Sequence, residues 1–409
     1  MNVHTRSVPT DVAIVGAGAA GLAAARSLRE HGVDILLLEA RGRVGGRAYT
    51  LRTSDGAFPI ELGAEFIHGK APATMDLMRE YGQQVVGTDF SSGPDIWDAT
   101  DRVLQRVDVH GADTSVDAFL NGVETPDAAD ARMLIEGFDA AIASDASIIA
   151  IAKEGRSDAN DTQGRPADGY GVLMDRLAQH AGDRLWTHTF VQQIQWSDES
   201  VLIDAVRGGE PARVQAKHVI VTLPIGVLRE DGMRFVPALP PQKRQAIDAI
   251  GMGPVLKVLL EFRAPFWQRG FFPAPPGGVF PTVWSRTPQP APILAAWAGG
   301  DAVARLQTSV RDPIAAAIET CERLFPQTAV REQLVNAHCH DWQRDPCARG
   351  AYSYLRVNGG DARERLAQPV GGVLYFAGEA TSPDDAGTVG GALESGYRAA
   401  AQVLTALGR

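Results

Sequence analysis

"DVAIVGAGAAGLAAARSLREHGVDILLLEARGRVGGR" (residues 11–47) decides how the rest of the chain is read. Val12–Val15 is a short apolar run of strand type. Gly16, Gly18 and Gly21 then satisfy G-x-G-x-x-G, and an alanine-rich helix is expected as far as about His31. A second apolar run, Val33–Leu38, ends at Glu39, 18 residues after Gly21. Each part answers a physical need. Gly16 permits a tight turn, Gly18 admits a pyrophosphate to the backbone, and Gly21 lets helix and strand pack closely. The helix N-terminus offers free N–H groups and a positive dipole to phosphate. Glu39 is placed to accept ribose hydroxyls. Taken together they predict a Rossmann-type α/β unit that binds a dinucleotide.

Bulk properties fit a soluble enzyme-sized protein. At 409 residues the chain exceeds one ordinary core, so at least two domains are expected. A formal net charge of −10 supplies no excess of cations to neutralise phosphates, which excludes a nucleic-acid partner. Three cysteines, Cys321, Cys339 and Cys347, cannot make a disulfide framework and point to a reducing compartment. The N-terminus has no apolar run of signal-peptide length, and no uncharged window is long enough to span a bilayer. A cytoplasmic protein is expected, with no membrane partner.

The continuation "EARGRVGGRAYT" (39–50) places Arg41, Arg43 and Arg47 around Gly45-Gly46, where guanidinium groups can pair with pyrophosphate oxygens. On this stretch, and on "ELGAEFIHG" (61–69), "VLKVLLEFRAPFW" (255–267), "DWQRDPCARGAYSYL" (341–355) and "YFAGEATSPDDAGTVGGALESG" (375–396), the sequence resembles the flavin-dependent amine oxidase family. The five motifs cover nearly the whole chain. The resemblance implies FAD as cofactor and oxidation of a C–N bond, with O2 as electron acceptor and H2O2 as product. It implies cofactor contacts from Gly16, Gly18, Ala20, Gly21, Glu39, Ala40, Arg41, Gly46 and Arg47, and from Gly63, Ala64 and Glu65. Val191, Trp342, Gly378, Glu379, Thr388 and Val389 complete that set. It further places Ala351 where monoamine oxidases carry a flavin-linking cysteine, so FAD is expected to be non-covalent.

Lys257 sits among Val255, Leu256, Val258, Leu259 and Leu260. Such a lysine either faces solvent at an edge or reaches a polar cavity. The resemblance implies the second, with the lysine beside flavin N5 as the catalytic-site residue. Tyr352 and Thr388 match substrate-facing positions, and Thr388 stands where monoamine oxidases have the second ring of an aromatic cage. His68 matches a position near the substrate amine in polyamine oxidases, which the chain resembles more than monoamine oxidases. Gly390 departs from the histidine common there. A carboxylate-bearing substrate would need a further cation, and Arg234, Arg263 and Arg286 stay open for that role. A flavin-binding interaction protein without turnover is the non-enzymatic alternative. His338 and His340 are spaced to share a strand face, but no third ligand stands at zinc-site spacing, so no metal is expected.

The expected architecture is a Rossmann-type FAD-binding domain (1–70, 183–235 and 346–409) interleaved with a mixed sheet-and-helix substrate domain (71–182 and 236–345). Helices are expected near 72–82, 127–143, 169–181, 241–250 and 312–325, and a last one capped by Thr388 with Leu393, Ala400, Val403 and Leu407 on one face. "FFPAPPGGVFP" (271–281) reads as a loop.

Overall fold

The computed structural model describes residues 7–88, 96–158, 164–230, 232–268, 270–273, 279–286, 289–309 and 312–409. The centre of the expected 271–281 loop, and the extreme N-terminus, lie outside them.

Val8–Val15 lies parallel between Ile35–Leu38 and Glu210–Val221 in an eight-stranded mixed sheet. The register sets Val12 against Ile35 and Val15 against both Leu38 and Val221. Ile35–Leu38 is buried throughout and the inner half of Val8–Val15 likewise, as continuous apolar strands of a covered parallel sheet must be. Leu374–Phe376, from the far end of the chain, joins the same sheet parallel to Glu210–Val221. An antiparallel meander of Thr189–Trp196, Val201–Arg207 and Glu210–Val221 extends it.

The first and last long helices, Ala19–Glu30 and Val389–Ala406, pack against each other on one face of this sheet. Their approach is so close that a Cβ on Gly396 would overlap the carbonyl oxygen of Ala20.

A second, five-stranded antiparallel sheet runs in the order Phe271–Pro273, Thr282–Ser285, Ile293–Gly299, Val255–Phe262 and Leu334–Cys339. Val255–Phe262 is its buried centre, pairing Lys257 with Trp297. Helices Ile96–Leu104, Val116–Asn121, Asp127–Phe138 and Ile148–Asp158 form a further layer with its own apolar core. The expected helices appear as Pro72–Glu80, Asp127–Phe138, Tyr170–Ala178, Pro241–Asp248 and Pro313–Leu324. The helix expected to reach 143 stops five residues sooner, because Ala140 takes a positive φ of 50°. Ile96–Leu104, Val116–Asn121, Ile148–Asp158 and Asp301–Ser309 are additional helices. Ile96–Leu104 is strongly amphipathic, burying Ile96, Ala99, Thr100, Val103 and Leu104 while Trp97 and Asp101 face outward.

Candidate active site

One cavity of about 790 Å³ runs from the Gly16–Ala20 turn to Lys257 and onward between the helices of the second layer. Its first stretch is a cradle of backbone. Gly16 has φ of 104°, and its Cβ would lie 2.6 Å from Thr222 Oγ1. A Cβ on Gly18 would meet only Gly46 at 4.0 Å, so this backbone is open to a bulky ligand. No side chain caps the Ala19–Glu30 helix, whose first-turn residues Ala19 and Ala20 line the cavity. Donors without a capping oxygen at a helix N-terminus suit a diphosphate. Gly21 does not line the cavity; a Cβ there would overlap Gly16 O, so its absence of side chain serves helix–strand packing. This cradle fits a dinucleotide such as FAD.

Glu39 is buried at the end of its strand and already accepts from Ala17 N at 2.8 Å and Arg41 N at 2.9 Å. It lines the cavity with Ala40 and Val191 and keeps acceptor capacity beyond those two bonds. Arg41 is braced by Asp345 at 2.7 Å, whose carboxyl stays far below the usual range: burial pushes it up, but His340 and Arg41 outweigh that. Arg43, by contrast, spends its guanidinium on Val44 O and Gly46 O and stacks 3.7 Å over Tyr49. It is a loop staple, outside the cavity lining.

Arg47 and Glu379 join the two ends of the chain. Arg47 Nη1 lies 2.9 Å from Glu379 Oε1 and 2.6 Å from Ala351 O. The other carboxylate oxygen accepts from Ser353 Oγ at 2.6 Å and Gly387 N at 3.0 Å. Arg363 completes the chain with a 2.7 Å bond to Ser353 Oγ. Burial pushes the Glu379 carboxyl up, yet Arg47 and Arg363 hold it below its ordinary value. Gly378, with φ of 129°, turns the chain between strand and cradle. Thr388 caps the last helix by accepting from Gly391 N at 2.9 Å, as expected, and with Val389 lines the cavity. Trp342 is buried, donates to Leu62 O at 2.9 Å and lies along the wall with Gly46, Gly63 and Ala64.

At the chamber end Lys257 lines the cavity although it is only 2% exposed. The solvent-edge alternative is therefore wrong. Its Nζ is 2.7 Å from Glu65 Oε2, and Arg165 Nε is 2.9 Å from Glu65 Oε1. Glu65 lines the cavity with Gly63 and Ala64 and is paired there with Lys257. Burial raises its carboxyl pKa, but Lys257, Arg165 and Arg286 together hold it at about 2.

Aromatic rings wall the chamber. Trp284 and Trp297 have centroids 5.4 Å apart, and Phe66 lies 5.8 Å from Trp284. His68 packs 5.9 Å from Phe66 and edge-on to Phe138 at 5.5 Å, and Phe138 meets Trp97 at 5.1 Å. Burial alone pushes the His68 imidazole down to about 4, and its Nδ1 has no partner among the described residues. Tyr352 lines the chamber with its hydroxyl donated to Phe138 O at 2.6 Å. Carboxylates also line the cavity: Asp98 and Asp101 one helical turn apart, then Asp139, Asp384 and Asp385. Arg165, Trp284, Trp297 and Trp97 were not signalled by any sequence motif; only the position of Lys257 within its strand hinted at a counter-charge.

Arg234, Arg263 and Arg286 are absent from the lining, and Gly390 packs against Ala71 and Thr74 away from it. His338 and His340 make separate contacts with Glu261 and Asp345, and no three metal-ligating side chains cluster among the described residues.

The family profile described as flavin containing amine oxidoreductase matches residues 19–137 and 109–404. The chain belongs to that family. It is 27% identical to human lysine-specific histone demethylase 2 over 98% of its own length and 53% of that protein's. Probable polyamine oxidase 4 of Arabidopsis thaliana is also 27% identical, over 96% of this chain and 86% of its own. The chain spans about half the length of the first curated relatives that it matches. Among solved structures, putrescine oxidase bound to putrescine aligns with a TM-score of 0.80 and 22% identity, and cyclohexylamine oxidase from Brevibacterium oxydans with 0.81 and 21%. Each covers 98% of this chain and 100% of the solved one. They share its mixed α/β fold.

Proposed function

We propose that this protein is an FAD-dependent amine oxidase that converts the C–N bond of a small amine or polyamine to an imine, with O2 as acceptor and H2O2 as product. One observation carries the reading: a single cavity joins the dinucleotide cradle to a buried lysine and an aromatic chamber. FAD, when bound, supplies the acceptance of two electrons from the substrate α-carbon and their return to O2.

The chain's own residues supply the rest. Gly16, Gly18 and Ala20 would hold the diphosphate, Glu39 the ribose, and Arg41, Arg47 and Glu379 the surrounding charge. Gly46, Gly63, Ala64, Trp342 and Gly378 would leave room along the flat of the cofactor, and Val191 would meet the adenine. Lys257 would present its ammonium to the reacting region. His68, kept neutral by burial, would accept a hydrogen bond from the amine. Tyr352, Trp284 and Phe66 would exclude water from the α-carbon, and Thr388 would bound the far side. With non-covalent attachment, Ala351 offers no sulfur.

The carboxylates of Asp98, Asp101 and Asp139 favour a cationic ligand over a carboxylate-bearing one, since the three arginines left open for an amino acid lie off the cavity. The same reading divides the chain into an FAD-binding domain (1–70, 183–235, 346–409) and a substrate domain (71–182, 236–345). Three free cysteines support a cytoplasmic setting. No helix among the described residues is long and apolar enough to cross a membrane.

The test is an anaerobic absorbance titration with putrescine, spermidine, spermine, benzylamine and several L-amino acids. Bleaching of the flavin band by an amine supports the proposal; bleaching by amino acids alone, or by none, overturns it.

A further inference from the structure

Val255–Phe262 is buried along its whole length, so Lys257 carries its charge into a layer without bulk water. A buried ammonium needs hydrogen-bond acceptors and a counter-charge, and the surroundings supply both. Nζ donates to Glu65 Oε2 at 2.7 Å and, at a long 3.4 Å, to Gly63 O. An ammonium has three protons, of which these two contacts use two, and Lys257 lines the cavity.

Glu65 is held in turn. Arg165 Nε stands 2.9 Å from Oε1, and Trp284 Nε1 approaches the two oxygens at 3.4 and 3.3 Å. Lys257, Glu65 and Arg165 are 2%, 5% and 2% exposed. They come from three separated segments, the last a strand, Gly164–Pro166, paired with Val85–Gly87. Arg165 lies behind the cavity wall, outside its lining. The other charged or titratable groups facing this cluster are Arg286 and Glu61, the latter with its carboxyl raised by burial. On one side of the Lys257 strand, Ile293–Gly299 brings Trp297 and the next strand Trp284; on the other side Leu334–Cys339 places His338 opposite Leu259 and Cys339 opposite Val258.

We infer that Glu65, braced from behind by Arg165, is a positioning residue that fixes the Lys257 ammonium toward the reaction chamber. The inference rests on the amine-oxidase reading, which puts the reacting atoms beside Lys257. Glu65 acts through the lysine and need not touch substrate itself. Nearest-neighbour chemistry explains why a carboxylate is needed: an amide at this place would offer one acceptor oxygen in place of two and no counter-charge.

The experiment uses the FAD-loaded protein and E65Q, K257M and K257M/E65Q variants. The flavin is reduced photochemically, without any amine, and its reoxidation by O2 is followed across about pH 6 to 9. In E65Q the rate is expected to acquire a limb that falls about tenfold toward high pH, absent from wild type, as the unpaired ammonium loses its proton. In the K257M background, E65Q should change nothing further. An E65Q profile superimposable on wild type, or an E65Q effect of equal size without the lysine, overturns the proposal.

A second readout needs neither cofactor turnover nor a stable E65Q protein. K257M/E65M, which removes both charges together, is expected to melt higher than E65M, in which two buried cations lose their partner. A double variant that melts no higher overturns it too. Because the flavin is reduced without an amine, failure of every amine to reduce wild type refutes the substrate proposal and leaves these outcomes decisive for Glu65.

Discussion

Replacing Glu379 by glutamine puts a near-isosteric amide at the junction of the two chain ends, and the geometry specifies what it must lose. Glu379 Oε1 faces the Arg47 guanidinium, while Oε2 accepts from Ser353 Oγ and Gly387 N. A glutamine has one oxygen. If it keeps Ser353 and Gly387, its NH2 opposes Arg47; if it turns to Arg47, its NH2 opposes the Gly387 N–H. The Ser353 oxygen, which already accepts from Arg363 at 2.7 Å, could take one amide proton on its second lone pair, but its own O–H would then lose the carboxylate it donates to. Either orientation loses a charge-assisted bond and leaves a buried donor facing a donor, about 3 to 5 kcal/mol in a dry site. Arg47 is 23% exposed at its side chain and keeps Ala351 O, which brings the cost to about 3 kcal/mol. For a chain of 409 residues unfolding as one unit, that is about 3 to 4 °C in Tm.

The assay is thermal unfolding of E379Q and wild type at pH 7 and at lower pH. The Glu379 carboxyl is held below its ordinary value, so its contribution is present above the unfolded-state pKa and is lost as pH falls through the folded one. The Tm gap should therefore narrow in acid. A variant melting within about 1 °C of wild type at pH 7, or a gap that widens in acid, refutes the reasoning.

Other expectations follow from the same site. K257M should retain FAD while flavin reduction by amine or reoxidation by O2 slows; stopped-flow measurement of both half-reactions decides it. A G63A variant should lose FAD affinity, since the new Cβ overlaps Arg47 O and displaces the residue that anchors Glu379; a cofactor titration reports it. His68 has a folded pKa of about 4, below its unfolded value, so the unfolded chain binds more protons in the window between them. Stability should fall as pH drops from about 6.5 toward 4, by at most roughly 3 kcal/mol, and H68F should flatten that part of the Tm profile. Acid precipitation should leave FAD yellow in the supernatant; colour retained in the pellet would contradict non-covalent binding.

Much of this was legible in sequence because the cofactor half is local. Gly16, Gly18, Gly21 and Glu39 occupy one continuous strand–helix–strand unit whose spacing is set by short-range geometry. The capping role of Thr388 is equally local. What was not legible depends on long-range pairing. Arg165 meets Glu65 only because a three-residue strand hydrogen-bonds to Val85–Gly87, and nothing near Arg165 in sequence marks it as buried. Trp284 and Trp297 become chamber walls through adjacent strands of one sheet. The Ile96–Leu104 helix, with Trp97, Asp98 and Asp101, escaped notice because its apolar stripe is short. Arg43 looked equivalent to Arg41 and Arg47 in the motif, and only the fold shows it turned onto its own loop.

The contact between Ala20 and Gly396 has a bearing on how the protein is made. Some 375 residues separate Gly21 from Gly396, and at about 5 to 20 residues per second a ribosome needs tens of seconds to add them. Throughout that interval the Gly16–Gly21 turn exists without the helix that packs on it and without Gly378 and Glu379. Capture of the cofactor is thus confined to the chain whose Val389–Ala406 helix has left the ribosome, and until Leu374–Phe376 is made the apo-chain lacks that strand of the first sheet.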